Sequence, residues 1–285
     1  MHIQPECVHC IINQSRRVAE AIHADDALAK QLVGSVEAMA SEFSFQQSPP
    51  EVAAGVYAAM AEIAGKHDLY DEVKAHSTEK ARQFLPELRE MIASSPTPLL
   101  TATKVAVAGN VIDLAAEVSF DLHEEVEKIF STPFGHDDFA RLETALAQAE
   151  TLLYIGDNVG EHLFDSLYIE TLQQLYPNLR ISYMVRGLPI INDVTIKEAK
   201  EVGFDTLCTL VDSGVDTPGF VYGRANDKSR RLFDESDLVL TKGMGNYECL
   251  SPTHRSNLCY LLKVKCQVVA ASLGRDVGDL VCKMI

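Results

Sequence analysis

Positive charge is scarce in this chain: 25 Lys and Arg stand against 41 Asp and Glu over 285 residues, a formal net charge of −16. Phosphate-backbone binding rests on clustered Lys and Arg, and no basic stripe occurs, so a nucleic-acid partner is not expected. The same acidity means that an anionic ligand would need a local cationic site, which draws attention to the few Lys and Arg beside apolar strands. No run approaches eighteen apolar residues, and the opening MHIQPECVHC lacks the basic-then-apolar pattern of a secretion signal. A cytoplasmic protein without a membrane partner is the expectation. Tryptophan is absent, which excludes nothing. The seven cysteines are an odd number, and beyond Cys7 and Cys10 they are scattered through apolar segments. That suits reduced thiols better than a disulfide framework. The single CVHC, Cys7 to Cys10, has too few ligands for a structural zinc site and no preceding strand for a thioredoxin-like unit. Nucleophile elbow, Walker loop and Rossmann fingerprint are missing too. So is the DxD of aspartate-nucleophile phosphatases, since Val159 follows Asp157-Asn158.

What is present divides in two. From about Ile11 to Met91 apolar residues recur at helical spacing, as in Val52, Val56, Ala59, Met60 and Ile63. Ser48-Pro49-Pro50-Glu51 reads as a helix start, with Pro in the first turn and an acid where the helix dipole favours it. The breaker cluster Ser94 to Pro98 ends this region, giving a helical subdomain over residues 1–95 and an α/β/α domain over 96–285. TATKVAVAGNVIDLAAEV follows as an Ala-rich helical pattern, in which Asn110 and Asp113 share one face. A packing role is the plainer reading of Asn110, and a ligand contact the alternative. Beyond an amphipathic HDDFARLETALAQAE, apolar runs at 152–155, 181–185, 206–211, 238–240 and 267–271 alternate with helical patterns. Such alternation predicts a mostly parallel sheet with helices on both faces.

Ligands on these sheets sit beyond the carboxyl ends of the strands. Four successive strand ends carry polar residues: Gly156-Asp157-Asn158, Asn192-Asp193, Asp212-Ser213-Gly214, and Lys242-Gly243-Met244-Gly245-Asn246. Each alone reads as a turn or helix cap; Asp193, for instance, could cap TIKEAKEVG. Together they would place carboxylates and a carboxamide in one crevice, where like charges repel unless a cation intervenes. Oxygen-only ligands select hard or borderline divalent ions with open positions for phosphate oxygens. Gly160 and the amphipathic run from Glu161 put a helix N-terminus on the same rim, suited to an anion. Ser213, Gly245, Lys242 and Lys265, the last ahead of the 267–271 run, are candidate phosphate contacts.

These motifs resemble the damage-control phosphatase family, long catalogued as DUF eighty-nine, and in particular its prokaryotic branch with an N-terminal CxxC. The matches are Cys7-Val-His-Cys10 with Gln14, GNVID from Gly109, GDNVGE from Gly156, INDV from Ile191 and KGMGNYE from Lys242, an ordered set spanning nearly the whole chain. The resemblance implies a helical subdomain packed on a three-layer α/β/α domain. It implies one divalent metal (Mn²⁺, Mg²⁺, Co²⁺ or Ni²⁺) on Asp157, Asn158 and Asp193, and substrate contacts from Glu161, the Gly245-Asn246 loop and Lys265. The expected activity is metal-dependent hydrolysis of phosphate monoesters of small, sugar-like metabolites. The alternatives are carboxyl methyl transfer from S-adenosylmethionine and metal or metabolite binding without catalysis.

Overall fold

The computed structural model describes residues 1–109, 130–253 and 255–285. Five helices come first: α1 (Pro5–Ala21), α2 (Asp26–Ala40), α3 (Pro49–Ala64), α4 (Asp71–Ser94) and α5 (Pro98–Ala108). The α3 start is the expected one, because Ser48 and Glu51 form a reciprocal capping box ahead of Pro49 and Pro50. Helices α1 to α3 bury their own apolar cluster around Val18, Leu32, Val36, Val56 and Met60. Helices α4 and α5 instead join the core beneath the sheet through Phe84, Leu88, Leu99, Val105 and Ala106. Helix α4, although it precedes residue 95, thus packs with the sheet. Asn110 and Asp113 lie outside the described residues.

The remainder alternates strand and helix: β1 (Phe134–Asp137), α6 (Phe139–Gln148), β2 (Thr151–Ile155), α7 (Glu161–Leu175), β3 (Arg180–Val185), α8 (Ile196–Glu201), α9 (Phe204–Leu207), β4 (Thr209–Asp212), α10 (Asp227–Glu235), β5 (Leu238–Lys242), α11 (Gly243–Leu250), β6 (Leu258–Lys263), α12 (Gln267–Leu273) and β7 (Leu280–Met284). The seven strands of the described residues form one sheet in the order β1-β7-β6-β5-β2-β3-β4. All neighbours are parallel except β6 and β7. The architecture is thus a helical region followed by a mixed, mostly parallel sheet covered on both faces. Strand β2 shows why both faces must be covered: Leu152 and Tyr154 pack beneath α4, α5 and α7, while Leu153 and Ile155 pack on the α10 to α12 side.

Three differences from the expected pattern have physical causes. Residues 267–271 form the short helix α12 rather than a strand, because a run of this length buried on one side carries no periodicity that separates the two. Strands β6 and β7, the first almost wholly buried, take the places beyond β5. The amphipathic segment after residue 136 begins as β1, whose edge position against β7 needs only four residues.

Strand order decides where the site falls. From β2 the chain moves outward to β3 and β4, then returns to β5 on the other side of β2. The β2/β5 boundary is therefore the point where the winding reverses, and a crevice opens there at the carboxyl ends.

Candidate active site

At that crevice Asp157, at the end of β2, faces the start of α11, at the end of β5. A Cβ placed on Gly243 would lie 1.9 Å from Asp157 Oδ2, and Gly243 has φ of 77°. Only glycine allows the backbone of that turn to lie against the carboxylate. Across the crevice the loop after β3 brings in Asp193. The two loops are zipped by backbone bonds, with the Val159 amide donating to Asn192 O at 2.8 Å and the Val194 amide to Asp157 O at 2.8 Å. Asn158 and Asp193 form the bridge between them. The Asn158 carboxamide donates to Asp157 Oδ2 at 2.8 Å and to Glu161 Oε2 at 3.2 Å. Asp157, Asn158, Glu161 and Asp193 are thus brought together as expected.

The loop bearing Asp193 is held from both sides. Ile190 is buried in the α1–α3 core with Ile191 packed against it, and Ile191 has φ of 46°, a left-handed conformation that a β-branched residue adopts only under strain. Thr195, two residues on, caps α8 in a capping box with Glu198. Glu198 lies 3.7 Å from the buried ammonium of Lys74 on α4, which also binds Asp68 at 2.8 Å.

Sequence reasoning had passed over Arg186, the residue directly after β3. It is 1% exposed, its Nε donates to Asp193 Oδ2 at 2.7 Å, and its Nη2 lies 3.6 Å from Asp157 Oδ1. Both terminal nitrogens are buried and make no hydrogen bond among the described residues. A lone Arg after an apolar strand, in a chain short of cations, was the available signal.

Lys242 is fully buried, so it is no solvated charge. Its ammonium binds Glu161 Oε1 and, at 2.8 Å, Asp165 Oδ1. Burial alone would depress its pKa, but Asp165 and Glu161 outweigh that and raise it. Asp165, also unforeseen, accepts from Tyr154 Oη at 2.6 Å and Tyr183 Oη at 2.9 Å. Asn246 has its side chain committed to backbone: Oδ1 accepts from the Phe220 amide, and Nδ2 donates to Gly156 O and Lys242 O. Gly245 is packed on Pro218 O, where a Cβ would come within 1.8 Å. Ser213 sits one strand beyond Arg186, its hydroxyl accepting from the Val215 amide. Lys265 is exposed on the β6 side of the rim, near enough that its charge lowers the Asp157 pKa. The row of open N–H groups expected at the start of α7 is spent on the loop itself. The Val159, Gly160, His162 and Leu163 amides donate to Asn192 O, His162 Nδ1, Asn158 O and Gly160 O.

The electrostatics are one-sided. Burial pushes the Asp157 carboxyl well above the usual carboxylate range, Asp193 and Glu161 add to this, and Arg186 and Lys265 oppose it. Burial likewise raises Asp193 against the pull of Arg186. Among the described residues at the crevice, four buried carboxylates (Asp157, Glu161, Asp165, Asp193) meet two buried cations, Lys242 and Arg186. A divalent cation would match the difference in charge. Its donor set would be oxygen from Asp157, Asp193 and Asn158, whose amide presents Oδ1 to the same space when turned over. The residues fit such an ion.

An open α/β sheet with an acidic crevice at its winding reversal defines a class of ligand-binding enzyme folds. Comparison with known proteins narrows it. Residues 3–281 match the damage-control phosphatase ARMT1-like domain. The chain is 32% identical over 284 residues to a damage-control phosphatase of Pyrococcus horikoshii, covering 99% of this chain and 98% of the relative. It is 31% identical over 291 residues to a damage-control phosphatase of Archaeoglobus fulgidus, covering 100% of both. The crystal structure of a DUF89 family protein from Pyrococcus horikoshii superposes with a TM-score of 0.91 over 100% of this chain and 99% of that one, at 31% identity. The chain belongs to the damage-control phosphatase ARMT1-like family.

Proposed function

We propose that this protein is a divalent-metal-dependent phosphatase acting on phosphate monoesters of small metabolites. The observation that carries the reading is the excess of buried carboxylate at the β2/β5 crevice, on a chain whose full-length relatives are named damage-control phosphatases.

Asp157, Asn158 and Asp193 would hold the ion, whether Mn²⁺, Mg²⁺, Co²⁺ or Ni²⁺. When bound it would withdraw charge from a phosphoryl oxygen and lower the pKa of a coordinated water. The protein's own contribution is placement. The backbone ladder between the two loops fixes the spacing of Asp157 and Asp193. Glu161, anchored by Lys242, keeps its carboxylate fixed beside Asn158. The α11 N-terminus and the Lys265 ammonium supply positive potential on the β5 and β6 side, where an anionic ester would enter. Ser213, on the β4 side, would mark the far edge of the substrate cleft.

The test is phosphate release from a panel of phosphorylated metabolites with each divalent ion in turn. Asp157→Ala and Asp193→Ala should fall to the background of the assay while their circular dichroism matches the parent chain. Metal-dependent release retained in the folded double variant would overturn the assignment. Binding of S-adenosylmethionine in the absence of metal would favour methyl transfer instead.

A further inference from the structure

We infer that Arg186 is a ligand for the phosphoryl oxygens of the substrate. This deepens the phosphatase reading and rests on it. A buried guanidinium without hydrogen bonds on its terminal nitrogens is costly, since donors withdrawn from water lose their hydrogen bonds without compensation. Arg186 has this defect at both Nη1 and Nη2 while its Nε is satisfied by Asp193. The side chain is thus anchored at one edge, leaving the paired donors of the other edge without hydrogen bonds, Nη2 only within ion-pair distance of Asp157. Such an edge matches a tetrahedral oxyanion, which accepts two parallel N–H bonds from a guanidinium fork.

Position supports the same conclusion. Arg186 follows β3, the neighbour of β2, so its head group lies beside both carboxylates proposed to hold the metal, 3.6 Å from Asp157 Oδ1 by Nη2. An oxyanion bound to a metal on Asp157 and Asp193 would lie between two positive groups, the ion on one side and the guanidinium on the other. Lys242 cannot take this part, because its ammonium is held by Glu161 and Asp165 below the rim. Lys265 is exposed and carries charge without a fixed fork.

Two calorimetric titrations separate the possibilities, one with inorganic orthophosphate on metal-free and on Mn²⁺-supplemented protein, the other with Mn²⁺ alone. The parent chain should bind orthophosphate, and Arg186→Ala should weaken that binding roughly ten- to a hundred-fold, with Mn²⁺ affinity unchanged or tighter because a neighbouring cation is gone. Arg186→Lys keeps the charge without the fork and should lose most of the same affinity; it also serves if the alanine variant fails to fold. Orthophosphate affinity unchanged in both variants, with Mn²⁺ affinity reduced, would show that Arg186 only orients Asp193 and would overturn the inference. Absence of orthophosphate binding by the parent chain would overturn it too. Orthophosphate binding that depends on Arg186, in a protein that hydrolyses no ester of the panel, would support the ligand role and defeat the phosphatase reading.

Discussion

Two buried ionic clusters lie within the same crevice, and they are built on opposite principles. Below the rim, Lys242 is enclosed by Glu161 and Asp165, and Tyr154 and Tyr183 complete the bonding of Asp165. At the rim, Arg186 meets Asp193 and Asp157 with two terminal nitrogens unbonded and with both carboxyl groups pushed above their ordinary range by burial. The lower cluster is closed and has the character of a scaffold. The upper one holds its groups in an arrangement that a ligand would improve. Buried charges are tolerated when matched, and a mismatch preserved inside a folded protein points to a partner that binds there.

Removing the cation of the closed cluster should have the largest effect on stability. Lys242→Met leaves Glu161 and Asp165 buried without it and should cost about 3–5 kcal/mol, read as a lower denaturant midpoint at constant m-value. A shift under 1 kcal/mol would erase the distinction between the clusters.

Acidification probes the first turn of α7, which carries His162. Burial holds His162 near a pKa of about 4, its Nδ1 accepting from the Gly160 amide and its ring stacked on Phe204. Because the folded value is depressed, the unfolded chain takes up a proton as pH falls through about 6.5 while the folded one does not. Stability should therefore decline between about pH 6.5 and 4, by roughly 3 kcal/mol from this residue. Thermal melts of His162→Gln should lack that share of the decline.

In the open cluster, loss of charge should help the fold and harm the chemistry. Asp157→Asn removes a carboxylate crowded by Asp193 and Glu161, so metal-free protein at pH 7 should melt a few degrees higher while metal-dependent phosphate release is lost. A lower melting temperature would mean that Asp157 is structural.

The smallest effect is expected at Ile191. Glycine there relieves the left-handed strain but removes apolar contact with the α1–α3 core, so stability should change by less than about 1 kcal/mol. If the loop positions Asp193 through this residue, Mn²⁺ affinity of Ile191→Gly should fall severalfold; unchanged affinity would show that Asp193 needs no help from the helical region.

The rim was legible in the sequence because strand ends announce themselves: an apolar run stops and Asp157, Asp193, Ser213 or Lys242 follows. Arg186 was not legible, since VRG after a strand reads equally well as a solvated basic residue. Its meaning comes from Asp193, seven residues on in the same loop, and from Asp157, which arrives from another. Nor was β6 assigned, and α12 was read as a strand, because a buried run of five to seven apolar residues suits either a strand or a helix. Asn246 shows the converse limit. Its motif suggested a ligand contact, and the structure shows its amide bonded to the backbone of three segments.

Local chemistry in the sequence by itself determined the helices, most of the parallel strands and the acidic character of their ends, because periodicity, caps and breakers act over a few residues. Only the tertiary structure decided that β5 lies against β2. That pairing carries Lys242 across 81 residues of sequence to Glu161 and across 77 to Asp165, while the pairing of β2 with β3 sets Arg186 beside Asp157. Such contacts follow from how whole faces bury one another, and no short window of residues specifies them.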